Sequence, residues 1–156
     1  MPEPVRGQLP ATAYWLGYGA LAPFVAGAVI MLLLPDAAQR ELAGRAMVAC
    51  GALVLAGVGG VHWRFALHGG AMRSPLRAVL AVLPAVAGAV AMLLPLETAI
   101  AVLVGAFGGF WLYENRVLGP AMVPPSYLAL RRWFTLGVVA ALGLALMSSS
   151  LAPAIS

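Results

Sequence analysis

Five stretches of about twenty apolar residues, nearly free of charge, constrain this chain more than any other feature. A helix of that length is about 30 Å long, the thickness of the hydrocarbon core of a bilayer. The stretches run over about 12–34, 42–67, 75–94, 96–113 and 127–147. Charged residues make up 9% of the 156 residues and hydrophobic residues 63%, whereas soluble domains carry about 25% charge. Such a chain cannot coat a globule with polar groups, and it is too apolar to remain disordered. The sequence predicts an all-α, polytopic membrane helix bundle of five transmembrane helices, with residues 1–156 forming a single transmembrane domain.

Prolines and glycines punctuate the spans. Pro10 and Pro35 bound the first, Gly69-Gly70 follow the second, and Pro75 is placed to open the third. The first apolar run is too long for the core of a signal peptide and has no clear small-residue cleavage site, so it is read as a retained span. With five spans the two tails lie on opposite sides. All nine basic residues are Arg. Arg6, Arg64, Arg73, Arg77, Arg116, Arg131 and Arg132 collect at one end; only Arg40 and Arg45 lie at the other. By the positive-inside rule the N-terminus is cytoplasmic and the C-terminus periplasmic. Arg-only usage beside abundant Ala and Gly points to a GC-rich bacterial genome.

An internal repeat runs through the first and third spans. The segment beginning at Pro23 reads PFVAGAVIMLL and that beginning at Pro84 reads PAVAGAVAMLL, identical at nine of eleven positions with an offset of 61. Each then reaches a proline and an acidic residue, Pro35-Asp36 and Pro95 with Glu97. The chain therefore reads as two repeated helical hairpins plus a fifth helix. Pro23 and Pro84 fall within spans, where each removes a backbone hydrogen bond and is expected to kink its helix. Gly105 and Gly109 form a G-x-x-x-G pair on the fourth span, a spacing that allows close helix contact, expected within one bundle in preference to a homodimer.

All four Trp and all four Tyr gather toward the Arg-rich end: Tyr14, Trp15, Tyr18, Trp63, Trp111, Tyr113, Tyr127 and Trp133. The same end holds His62, Trp63 and Arg64 in the last turns of the second span. Glu114 and Asn115 lie where the fourth span closes, and Arg131 near the start of the fifth. The second and fourth spans run in the same direction, so His62 or Arg64 is expected at the depth of Glu114. Polar groups at that depth pair with one another or face the bundle interior. Two readings stand: an interfacial brace between hairpins, the preferred one, and a small polar site for a headgroup, quinone or peptide.

Other chemistry is disfavoured. Nine scattered Arg do not build a phosphate-binding face, so no nucleic acid is expected as a partner. Cys50 is alone, and no zinc-ligand spacing exists. His62 and His68 are six residues apart and point about 240° apart on a helix, which disfavours bis-His haem. No metal or other cofactor is implied, and no catalytic motif is found.

Several segments in order resemble a family of small multi-spanning membrane proteins of unknown function. That family includes the mitochondrial transmembrane protein sixty-nine and many proteobacterial inner-membrane proteins. The resemblance is carried by Leu16-Gly17-Tyr18-Gly19 with Pro23-Phe24, and by Gly59-Gly60-Val61-His62-Trp63 with Ala66-Leu67. It continues through Leu83-Pro84, Tyr113-Glu114, and Pro125-Ser126-Tyr127-Leu128 with Leu130-Arg131 and Thr135-Leu136. Ser126 stands where the family has an aromatic residue. The resemblance implies five spans and an inner membrane, and it supplies no reaction. The expected function is that of a non-enzymatic accessory or assembly factor in the lipid bilayer. It would dock another inner-membrane protein complex at its cytoplasmic aromatic and Arg face. The alternative is a small lipid, quinone or solute binder or transporter acting as a homodimer.

Overall fold

A computed structural model of the chain describes residues 9–68, 75–117 and 124–151. Six helices form among the described residues, with no strand. They are α1 (Ala11–Gly19), α2 (Ala22–Leu33), α3 (Ala37–His68), α4 (Pro75–Leu93), α5 (Leu96–Val117) and α6 (Pro125–Leu151). Together α1 and α2 make one span, so five helical segments are long and apolar enough to cross a membrane.

Local chemistry sets the helix ends. Pro23 sits in the first turn of α2. It has no N–H to offer the carbonyl of Gly19, and its ring crowds that carbonyl. The ladder tightens there, Leu21 N–H donating to Tyr18 O at 3.0 Å, and the first span breaks in two. Pro84, by contrast, is buried inside the unbroken helix α4. The second span starts at Ala37, earlier than hydropathy alone suggests, because Asp36 Oδ1 accepts from the Ala38 N–H at 2.9 Å and caps the helix. The fourth span runs on through Glu114 to Val117, and the fifth begins at Pro125, a proline at the first helical position.

The long helix α3 packs against α2, α4 and α5, with its most extensive contact along α4. Small residues permit that approach. A Cβ on Gly88 would stand 2.7 Å from the Cα of Ala52, and one on Gly59 would run into the carbonyl oxygen of Ala81. On its other side α3 meets α5, where Leu103 packs over Gly51. Below the polar end, Phe24 of α2 meets Phe107 of α5 edge-on at 6.1 Å, and Phe107 meets Phe134 of α6 at 6.4 Å. Leu55, Ile100, Leu103 and Val138 fill the space around this aromatic chain. Apolar side chains cover much of the outside as well, the arrangement a lipid solvent permits.

The repeated segments do not occupy equivalent places. Gly27 faces Met47 and Gly88 faces Ala52, so both repeat glycines meet the same helix, α3. Helix α2 buries Phe24, Gly27, Ala28 and Met31, whereas α4 buries Ala81, Pro84, Gly88 and Ala91. At the repeat offset Met31 is buried and its counterpart Met92 exposed. Helix α2 packs against α3 and α4 against α5, as two hairpins would, but the two pairs bury different positions around a central α3. The G-x-x-x-G pair also differs from expectation. Among the described residues, Gly105 and Gly109 have no neighbour within 4 Å of a would-be Cβ, because α5 turns its Leu103–Phe107–Glu114 side inward.

Candidate polar cluster between three helices

Three ionisable side chains from three helices converge at the end where α3 and α5 finish and α6 begins. His62 lies near the C-terminal end of α3, Glu114 in the last turns of α5, and Arg131 in the second turn of α6. All three are buried. Arg131 Nε donates to Glu114 Oε2 at 2.7 Å. Glu114 Oε1 lies 3.1 Å from His62 Nε2. A carboxylate only accepts, so the pairing calls for the tautomer with its proton on Nε2. One helical turn along α6, Arg131 Nη1 donates to the Thr135 hydroxyl at 3.2 Å.

Aromatic rings complete the enclosure. The His62 imidazole meets Phe110 edge-on at 4.9 Å and Tyr113 at 5.7 Å. The Arg131 guanidinium carbon lies 5.9 Å from the Phe134 ring centre. The charges thus sit in a low-dielectric setting, where pairing is strong and a missing partner is expensive. Two atoms, His62 Nδ1 and Arg131 Nη2, are buried without a hydrogen-bond partner among the described residues. No group of three or more His, Cys, Asp or Glu able to hold a metal occurs among those residues.

Of the candidates named from sequence, His62, Glu114 and Arg131 come together. Trp63 and Asn115 do not join them: both stand on exposed sides of their helices, Trp63 at 44% exposure. The side chain of Arg64 lies outside the described set, as do Arg6 and Arg73. Thr135, Phe110 and Tyr113 were not singled out for the cluster. The four-residue step from Arg131 to Thr135 along one helix face was the signal available for the first. For the two rings the signal was their position one turn and one residue before Glu114.

Apolar recesses flank the cluster. A groove of about 290 Å³ between α4 and α5 is lined by Leu83, Pro84, Gly105, Gly109, Phe110 and Tyr113. A second recess of about 160 Å³, lined by Gly17, Val58, Tyr127 and Arg131, separates α1 from α3 and α6.

No curated protein and no solved structure matches the chain. One family model does, over residues 9–147, a range that takes in four spans, all but the end of the fifth, and the whole polar cluster; its description is protein of unknown function, DUF3429. The chain belongs to that family of unknown function, as a multi-span helical member with a buried His–Glu–Arg cluster.

Proposed function

We propose that this chain is a non-enzymatic accessory or assembly factor of a bacterial inner membrane, docking a larger membrane complex at its aromatic, Arg-rich end. Kinship with the mitochondrial transmembrane protein sixty-nine is part of this reading. So is the orientation, with the seven-Arg end cytoplasmic, the N-terminus on that side and the C-terminus periplasmic. The carrying observation is the contrast between the cluster and the surface around it. Both oxygens of Glu114 are engaged and its partners come from separate helices, the layout of a lock that holds α3, α5 and α6 in register. Around that lock several aromatics turn outward, Trp15 at 80% exposure and Trp133 at 55%. Arg132 stacks on Trp133 at 5.3 Å. A rigid end presenting aromatic and Arg side chains suits protein recognition.

Native mass spectrometry after mild extraction from the natural membrane tests this. The expected result is a stoichiometric protein partner that is lost when Trp15 and Trp133 are both replaced by alanine. A monodisperse lone chain, with or without the substitutions, overturns it.

One observation favours the second reading, a lipid, quinone or solute binder working as a dimer. The groove beside Pro84 leaves Gly105 and Gly109 uncovered. On that reading the same spectrum shows a dimer with a retained small molecule.

A further inference from the structure

The opposite end of the bundle has its own polar recess, unrelated to the His62 cluster. A pocket of about 350 Å³ lies where α3 and α5 begin and α6 ends, lined by Arg40, Glu41, Glu97, Thr98 and Ser149. The two arginines at this end are used differently. Arg45 makes two bonds: its Nε pairs with Glu41 at 2.9 Å and its Nη1 donates to the carbonyl of Leu94 at 2.6 Å. Arg40 has no carboxylate or carbonyl partner among the described residues, and its Nε is buried without an acceptor. Glu97, in the first turn of α5, likewise makes no ion pair among those residues.

From this arrangement we infer that the pocket binds a phosphate–ammonium zwitterion, presented as the headgroup of an aminophospholipid, with phosphate on Arg40 and ammonium on Glu97. The charge count selects the ligand. Glu41 and Arg45 neutralise each other, which leaves, among the described residues, one free cation and one free anion lining a single recess. A simple anion would satisfy Arg40 and be repelled by Glu97; a simple cation would meet the reverse. A zwitterion meets both. The start of α5 adds N–H groups with no intrahelical partner and a positive dipole end, both favourable to phosphate. A primary ammonium offers three donors to Glu97, whereas a choline headgroup offers none. Placement selects a lipid over a soluble molecule. The pocket sits at the helix termini, where hydrocarbon gives way to headgroups. Immediately inside it Leu42 is 71% exposed and Leu93 86%, apolar surface against which acyl chains lie.

The test uses the full chain, delipidated in mild detergent and offered an equimolar mixture of phosphatidylethanolamine, phosphatidylcholine and phosphatidylglycerol before native mass spectrometry. The unsubstituted chain is expected to retain phosphatidylethanolamine over each of the others by about tenfold, the effect of one charge-assisted hydrogen bond. Arg40→Gln should abolish retention of all three. Glu97→Gln should keep phospholipid but lose the preference for ethanolamine over choline. Glu97 is exposed, so that variant reads the site even if the Arg40 variant folds poorly. Equal retention of the three lipids, or a Glu97→Gln chain that still prefers ethanolamine, overturns the proposal. So does preference for phosphatidylglycerol, which marks a plain anion site. Soluble phosphoethanolamine that binds where no lipid is retained overturns the lipid assignment in favour of a free zwitterion.

Discussion

Replacing Glu114 by leucine and, separately, Arg131 by leucine should destabilise the bundle unequally. The two side chains form one 2.7 Å ion pair, each buried. A naive account assigns both deletions the same loss. The chemistry of the survivor says otherwise. A guanidinium cannot shed its proton, so Glu114→Leu strands a permanent buried charge beside Phe134, with only the Thr135 hydroxyl among the described residues to bond it. Removing one partner of a buried pair costs about 3–5 kcal/mol. A carboxyl that loses its cation can instead take up a proton and hydrogen-bond His62 as a neutral acid, so Arg131→Leu should cost about 1–3 kcal/mol, the range for a lost buried hydrogen bond. The double variant Glu114→Leu/Arg131→Leu strands no charge and should recover most of the Glu114→Leu loss. Reversible unfolding of the purified chain in mixed micelles of increasing denaturing detergent, followed by helicity, measures all three. An Arg131→Leu loss equal to or larger than that of Glu114→Leu refutes the argument. So does a double variant no more stable than Glu114→Leu.

Other predictions separate the packing faces. Gly88→Ala should cost about 1–3 kcal/mol in the same assay, because its new methyl meets the backbone of Ala52. Gly105→Ala and Gly109→Ala should be neutral or stabilising by up to about 1 kcal/mol each, since no described residue stands within 4 Å and alanine favours helix. Phe107→Ala should cost about 3–5 kcal/mol by opening a cavity between Phe24 and Phe134. With Cys50 replaced by alanine, thiol-labelling of Gln39→Cys from outside intact cells should succeed and that of Asn115→Cys should fail; the reverse pattern inverts the proposed orientation.

The spans were legible because the bilayer enforces one rule over twenty residues at a time, and hydropathy averages over the same distance. The helix ends were less so. They depend on single contacts, such as Asp36 capping Ala38, that averaging erases. The cluster was half legible. Depth along parallel spans put His62 or Arg64 level with Glu114, and in the structure His62 lies 3.1 Å from it. Depth alone could not single out Arg131 as the cation, because rotation about a helix decides which side chain faces inward. The repeat did not tell which positions are buried, for the same reason. Eleven residues fix a pattern of small and large side chains, yet a rotation of one residue between α2 and α4 exchanges buried Met31 for exposed Met92.

That rotation follows from the central place of α3. A helix flanked on one side only needs a single stripe of small residues. Helix α3 is packed by α2, α4 and α5 at once, and it carries Gly51, Ala52 and Gly59 at different angles around its axis to admit Leu103 of α5 and the backbone of α4. In lipid, apolar surface gains nothing by leaving the solvent, so close van der Waals approach and interhelical hydrogen bonds must hold the bundle together. The protein uses them at separate depths. Glycine contacts join α3 to α4 and α5 through the middle, where polar groups would be most costly. Toward the Arg-rich end, where the cost of charge falls, His62, Glu114 and Arg131 tie α3 and α5 to α6. Helix α4 contributes nothing to that tie, which leaves its contact with α5 open beside Phe110 and Tyr113. A perturbation of the cluster should therefore loosen α6 first and leave the α3–α4 pair intact. Hydrogen exchange on Glu114→Leu tests this: early exchange in α4 before α6 would contradict the division.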